Sequence, residues 1–274
     1  MLLDNGSLMG SLLFNPPGSE HSEIGSVQTV PRQYRQKGNI WVPRNMKVGS
    51  WIVTGTPGSG KSYLMQQIGA IPGEVCIDIA QKKWWKVPPL TQRPREVHFA
   101  LPFEGHKNSL PVYDDTWTRA ETLPDVDLER IRIPRKKKFI MAPDWRARFV
   151  FDFILPPPAW ILDTRRRRFA EGDARLVDLG ICERLVTWQA RTLWSVAAHF
   201  EASGLQVLVR PFNLAYPYAF PELCKAARRK SKAGARSVFP EGVDMGVELT
   251  LRDWIARTAP KDWLKAAVRN GKQK

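Results

Sequence analysis

Short apolar runs alternate with segments of helical periodicity through the middle of the chain. Trp51 to Thr54 is a short, β-branched apolar run that predicts a buried strand. Tyr63 to Ala70 places Leu64, Met65 and Ile68 at helical spacing, and Ile71-Pro72-Gly73 stops it. Glu74 to Ile79 predicts a second buried strand and Val97 to Leu101 a third. Phe149 to Leu155 and Ala159 to Asp163 are two more apolar runs, kept apart by Pro156-Pro157-Pro158 because proline is excluded from central strand interiors. Asp173 reads as the N-cap of a long helix. On it Leu179, Cys182, Val186, Ala190, Leu193, Ala197 and Phe200 step by 3 or 4 to make one apolar face. Gly204 stands where a helix ends in a left-handed residue, and Leu205 to Val209 predicts a further core strand.

This order predicts an α/β fold with a mainly parallel sheet. Strand, helix, strand implies a right-handed crossover, and ligands of such sheets sit at the carboxyl ends of the strands. Residues 1–38 carry Gly-Ser and Pro-Pro-Gly-Ser linker chemistry and predict a flexible N-terminal segment. The core then spans 39–215, opening with a short strand through Ile40-Trp41-Val42. A loop-rich insertion lies near 104–148. Residues 216–274 form a basic C-terminal extension with short helices over 221–232, 250–258 and 261–269.

The link between the first strand and first helix carries the chemistry. Gly55-Thr56-Pro57-Gly58-Ser59-Gly60-Lys61-Ser62 reads G-x-x-x-x-G-K-S, the phosphate-binding loop known as Walker A. The glycines let the backbone approach a phosphate closely, successive N–H groups make an anion nest, and the helix N-terminus adds partial positive charge. In that reading Lys61 reaches the β- and γ-phosphates of ATP and the Ser62 hydroxyl ligands Mg²⁺. All eight positions match the motif of the P-loop NTPases. The resemblance implies a three-layer α/β fold and binding of a magnesium nucleotide.

A metal-holding carboxylate is expected at the end of a core strand. Asp163, closing Trp160-Ile161-Leu162-Asp163, is the preferred candidate and Asp152 the rival. Thr164-Arg165-Arg166-Arg167-Arg168 follows at once. Arginine forks pair with phosphate oxygens, so Arg165 and Arg168 are candidates for neutralising charge on the transferring group. Many P-loop kinases carry an acidic residue near the end of the strand after the loop, and Asp78 stands there as the candidate base. Trp84 and Trp85 follow, as core residues or as platforms for a base.

Charge widens the picture. The chain has 42 Lys and Arg against 27 Asp and Glu, a net +15, which suits a polyanionic partner such as DNA. Arg130, Arg132 and Arg135-Lys136-Lys137-Lys138 make the insertion resemble a basic lid. Cys76, Cys182 and Cys224 lie far apart and read as reduced, buried thiols; neither they nor the four histidines show ligand spacing. No basic n-region opens the chain and no apolar run can span a bilayer, so a soluble, cytoplasmic protein is expected.

Taken together, the Walker A loop, the acidic second strand running into Lys83-Trp84-Trp85, Arg95-Glu96-Val97-His98 with Pro102-Phe103, and the arginines after Asp163 resemble phage P-loop kinases. The likeness is to the 5-hydroxymethyluracil DNA kinases and covers roughly residues 48–215. It implies transfer of the ATP γ-phosphate to a base hydroxymethyl group in DNA. A deoxynucleoside or nucleotide kinase and a DNA-associated P-loop ATPase are the alternatives. The acidic pair of many motors is missing from the Asp163-Thr164 stretch.

Overall fold

The computed structural model describes residues 34–37, 40–43, 50–69, 75–86, 94–113, 115–133, 149–156, 158–172, 183–211 and 217–220. A two-stranded antiparallel sheet pairs β1 (Tyr34–Lys37) with β2 (Ile40–Pro43). Tyr34–Lys37 falls within the expected flexible segment and is instead a strand. The main sheet has seven strands. Its members are β3 (Ser50–Gly55), β4 (Val75–Asp78), β5 (Pro94–Pro102), β6 (Ser109–Pro111), β7 (Phe149–Ile154), β8 (Gln206–Arg210) and β9 (Tyr218–Ala219). They stand in the order β4-β5-β3-β7-β8-β9, with β6 added to β5. Strands β4, β5, β3, β7 and β8 are mutually parallel, while β6 and β9 run antiparallel to their neighbours. The fold is therefore α/β with a mixed, mostly parallel sheet.

Parallel strands are buried on both faces, which is why β3 and β7 read as continuous apolar runs. The two faces are nevertheless distinct. Ile52, Phe151, Phe153, Val97, Phe99, Val207 and Val209 belong to one cluster with Leu193, Val196, Ala197 and Phe200 of α3 (Glu183–Ala202). Phe200 is its hub: its ring stacks on Trp84 at 5.8 Å and lies 4.7 Å from Phe151. Helix α1 (Lys61–Ile68) packs on β3 and β5, and none of its buried residues joins that cluster, so it covers the other face. Gly69, at φ 65, caps it.

Helix α3 buries more than the one expected stripe. Val186, Ala190, Leu193, Ala197 and Phe200 are buried as expected, but so are Leu185, Trp188, Gln189, Thr192 and Trp194. The extra burial arises because α2 (Pro158–Ala170) and the turn at Leu128–Arg130 also pack on it. Its end is a Schellman motif: Leu205 N–H donates to Phe200 O, Gly204 N–H donates to Glu201 O, and Gly204 has φ 80. The expected N-cap at Asp173, with Leu179 and Cys182, lies outside the described residues.

One expected strand is wrong. Ala159 to Asp163 is part of helix α2 (Pro158–Ala170). An apolar run this short does not separate strand from helix, and Pro158 at the first helical position is pre-set for helix dihedrals. Two other differences have simple causes. Cys76 is exposed, because β4 is the sheet's outer strand on that side. Within the 104–148 insertion, residues 104–113 and 115–133 pack on the core through Val112, Trp117 and Ile131. Arg130 donates to the His106 and Lys107 carbonyls at 2.6 and 2.8 Å. Arg135 to Lys138 and the basic helices expected over 221–232, 250–258 and 261–269 lie outside the described residues.

Candidate functional site

Strand β3 ends at Gly55, the chain turns through 56–60, and α1 starts at Lys61. Two positions in the turn need glycine for conformation: Gly58 has φ 83 and Gly60 has φ 90. Gly55 needs it for space, since a Cβ there would stand 2.6 Å from Ile154 O and 2.7 Å from Ser59 Oγ. Ser59 N–H donates to Thr56 O at 3.1 Å and closes the turn. Gly60 caps the helix with no side chain, and the first turn holds no acidic residue, so the positive end of the helix is left for an outside anion. The Thr56 and Ser59 hydroxyls are buried and make no hydrogen bond among the described residues. A buried polar group in that state carries a desolvation cost. The donor set, the glycines and the bare helix end fit a phosphate.

The Lys61 ammonium folds back over the loop. Its Nζ donates to Gly55 O at 3.0 Å and Thr56 O at 3.1 Å, with Glu96 Oε1 at 3.8 Å. Ser62, the next residue, is exposed on the first turn of α1. Glu96 was missed as a site residue by sequence reasoning. The signal was present: on β5, Glu96 and His98 stand two apart and so share one face, and Glu96 is in register with Val53 of β3. Glu96 Oε1 lies 3.9 Å from His98 Nε2, and the His98 ring lies 4.4 Å from the ring of Tyr113. The Tyr113 hydroxyl donates to Cys76 Sγ at 3.7 Å.

Arg165 and the loop are brought together. From α2, the fully buried Arg165 donates through Nε to Pro57 O at 2.9 Å, and its Cγ would stand 3.1 Å from a Cβ at Gly58. Burial, and then the charge of Arg168, bring the Arg165 guanidinium down to about 10, so it stays a cation at neutral pH. Arg165 thus holds the loop's backbone. Arg168 is half-buried on the same helix, and Arg166 and Arg167 are exposed.

Asp163 is not brought to the site by any strand. It sits exposed on α2, its Oδ2 3.2 Å from Arg167 Nε one helical turn on. The strand-end position on which its metal role rested does not exist. Its rival Asp152 lies on β7 beside Val53, fully buried, and is committed elsewhere: Arg210 Nε donates to both its oxygens at 3.1 and 3.0 Å and Arg210 Nη2 to Oδ2 at 2.9 Å. Among the described residues no group of three or more His, Cys, Asp and Glu side chains is gathered as a metal cage.

Asp78 ends β4, half-buried, and its Oδ1 accepts from Ala80 N–H at 2.9 Å. This is a turn-capping bond. Trp84 is a core residue, 2% exposed, donating through Nε1 to Arg132 O at 2.6 Å. Trp85 packs half-buried against the same cluster. Trp84 is therefore no platform for a base.

Comparison with models of protein families, with curated proteins and with solved structures returns no match to this chain.

Proposed function

We propose that the chain binds a nucleoside triphosphate with Mg²⁺ at Gly55–Ser62 and transfers the terminal phosphoryl group to a hydroxyl acceptor. The hydroxymethyl group of 5-hydroxymethyluracil in DNA is the first acceptor to test. One observation carries the reading: a parallel strand runs into a turn with two left-handed glycines and an uncapped helix, with the Lys61 ammonium folded onto the turn's own carbonyls.

The residues divide the work as follows. Lys61 exchanges the Gly55 and Thr56 carbonyls for phosphate oxygens, and the loop N–H groups hold the rest of the anion. Mg²⁺ would supply charge neutralisation to the bound nucleotide, and the exposed Ser62 hydroxyl is the group that would hold it. Arg165 keeps the Pro57-Gly58 turn in place. Asp78, at the carboxyl end of β4, orients the acceptor hydroxyl or takes its proton. The net charge of +15 supports a polyanionic acceptor such as DNA. No described helix is long and apolar enough to cross a membrane.

A second reading, hydrolysis of the nucleotide, is favoured by Glu96, a buried carboxylate 3.8 Å from Lys61 Nζ on the neighbouring parallel strand. Such a group can orient a water for attack. The missing acidic pair at Asp163-Thr164 no longer counts against this reading, since that stretch is helix.

Terminally labelled ATP separates the two. Label on hydroxymethyluracil-containing DNA supports the transferase; label on free nucleosides or nucleotides redirects the acceptor; free phosphate with no labelled acceptor supports hydrolysis. No consumption of ATP under any of these conditions overturns both.

A further inference from the structure

A line of hydrogen bonds leaves the loop and ends on another part of the fold. Arg165 Nε donates to Pro57 O and Arg165 Nη2 donates to Gln189 Oε1 of α3, each at 2.9 Å. Gln189 Nε2 then donates to Val112 O at 3.0 Å. Arg165 and Gln189 are fully buried. The same stretch of α3 grips the 112–124 region twice more: Trp188 Nε1 donates to Pro124 O at 2.8 Å, and Arg184 donates to Ala120 O and Glu121 O.

The far end of this line lies beside β5 and β4. Tyr113 follows Val112, and its ring lies 4.4 Å from His98 while its hydroxyl reaches Cys76 Sγ at 3.7 Å. Cys76 is the register partner of His98, and Asp78, two residues along β4, shares its face. One end of the line therefore touches the Pro57-Gly58 turn, and the other holds the carbonyl next to Tyr113, which packs on His98 and reaches Cys76, two residues before Asp78.

Burial gives the line its stiffness. Each polar group must keep a partner, and the planar guanidinium holds its donors at fixed angles, so a shift of Pro57 O is passed to Gln189. Resting on the nucleotide reading of the loop, we propose that Gln189 is a positioning residue that ties the Pro57-Gly58 turn to Val112-Tyr113, so that a filled loop tightens the packing of Tyr113 on His98.

The test uses the full chain with the magnesium complex of a non-hydrolysable ATP analogue. It reads affinity by calorimetry and amide hydrogen exchange in peptides covering 109–114. Wild type is expected to bind and to slow exchange there by about tenfold, the scale of one buried hydrogen bond. No binding overturns the loop reading together with the coupling; binding with unchanged exchange at 109–114 overturns the coupling alone. Gln189→Glu keeps the acceptor for Arg165 but loses the donor to Val112 O. It is expected to bind within about threefold of wild type, because the Arg165 contact survives, yet to lose the nucleotide-dependent protection. Gln189→Met loses both bonds and is expected to bind about tenfold more weakly as well. A purely packing role for Gln189 leaves the protection in place in Gln189→Glu, and that result overturns the proposal even if Gln189→Met fails to fold.

Discussion

Replacing Asp152 by asparagine removes a charge from the middle of the sheet without changing its shape. Asp152 and Arg210 are both 0% exposed and meet through three N–H to oxygen contacts of 2.9 to 3.1 Å between β7 and β8. Taking one partner from a buried pair leaves the other charge without compensation and costs about 3–5 kcal/mol. At a urea dependence of about 3 kcal/mol per molar, the unfolding midpoint should fall by roughly 1–2 M. Arg210→Met should fall by a similar amount. The double variant Asp152→Leu with Arg210→Met should return to within about 2 kcal/mol of wild type, because well-packed apolar residues replace such pairs at little cost. The assay is urea unfolding of the full chain by tryptophan fluorescence, read as a double-mutant cycle. Additive losses, or an Asp152→Asn midpoint equal to wild type, refute the pairing. A second arm tests the site: magnesium-nucleotide affinity of folded Asp152→Asn should match wild type, and its collapse would return Asp152 to the metal.

Four further outcomes follow from the geometry. Lys61→Ala should abolish nucleotide binding by calorimetry, and retained affinity would remove the loop from the mechanism. Gly58→Ala, at φ 83 and with Arg165 Cγ at 3.1 Å, should weaken binding, whereas Gly105→Ala, at φ 78 with nothing within 4 Å, should leave it unchanged and cost about 1 kcal/mol in unfolding. Asp163→Ala should keep activity within about twofold, since exposed i,i+4 pairs contribute only tenths of a kcal/mol; a larger loss in the labelled-ATP assay restores its metal role. Burial raises the Glu201 carboxyl from 4.5 to about 7, so the folded protein holds that proton when the unfolded chain has released it. Stability from this group is present below about pH 4.5 and is lost as pH rises through about 7. Glu201→Gln should therefore flatten the fall in stability over that window, and an unchanged slope in pH-dependent unfolding would count against it.

The strands flanking the loop were legible because each is a short apolar run closed by a break, and the loop because its glycines, lysine and serine have fixed spacing. Gly204 was legible for the same kind of reason: a glycine after a periodic stretch has few other uses. Ala159 to Asp163 misled because Trp160-Ile161-Leu162 fits either period, and the proline read as a strand barrier starts a helix. With that strand went the case for Asp163. Glu96 stayed hidden because a buried carboxylate in a strand has no local pattern; only register sets it beside Lys61. Arg165 was legible as a charge near the site, but its bond to the loop's own backbone depends on how α2 packs.

The unequal lengths of the parallel strands give the sheet a stepped rim. By register, Gly55 stands two residues above Val53 while β5 runs on to Pro102, six above Glu96. Past the Val53–Glu96 pair β5 no longer bonds to β3 and pairs with β4 and β6 instead, so the two strands part at the level of the loop. Side chains on that parted stretch of β5 stand beyond the last bond to β3, so selection among visitors can happen at groups that never touch a phosphate.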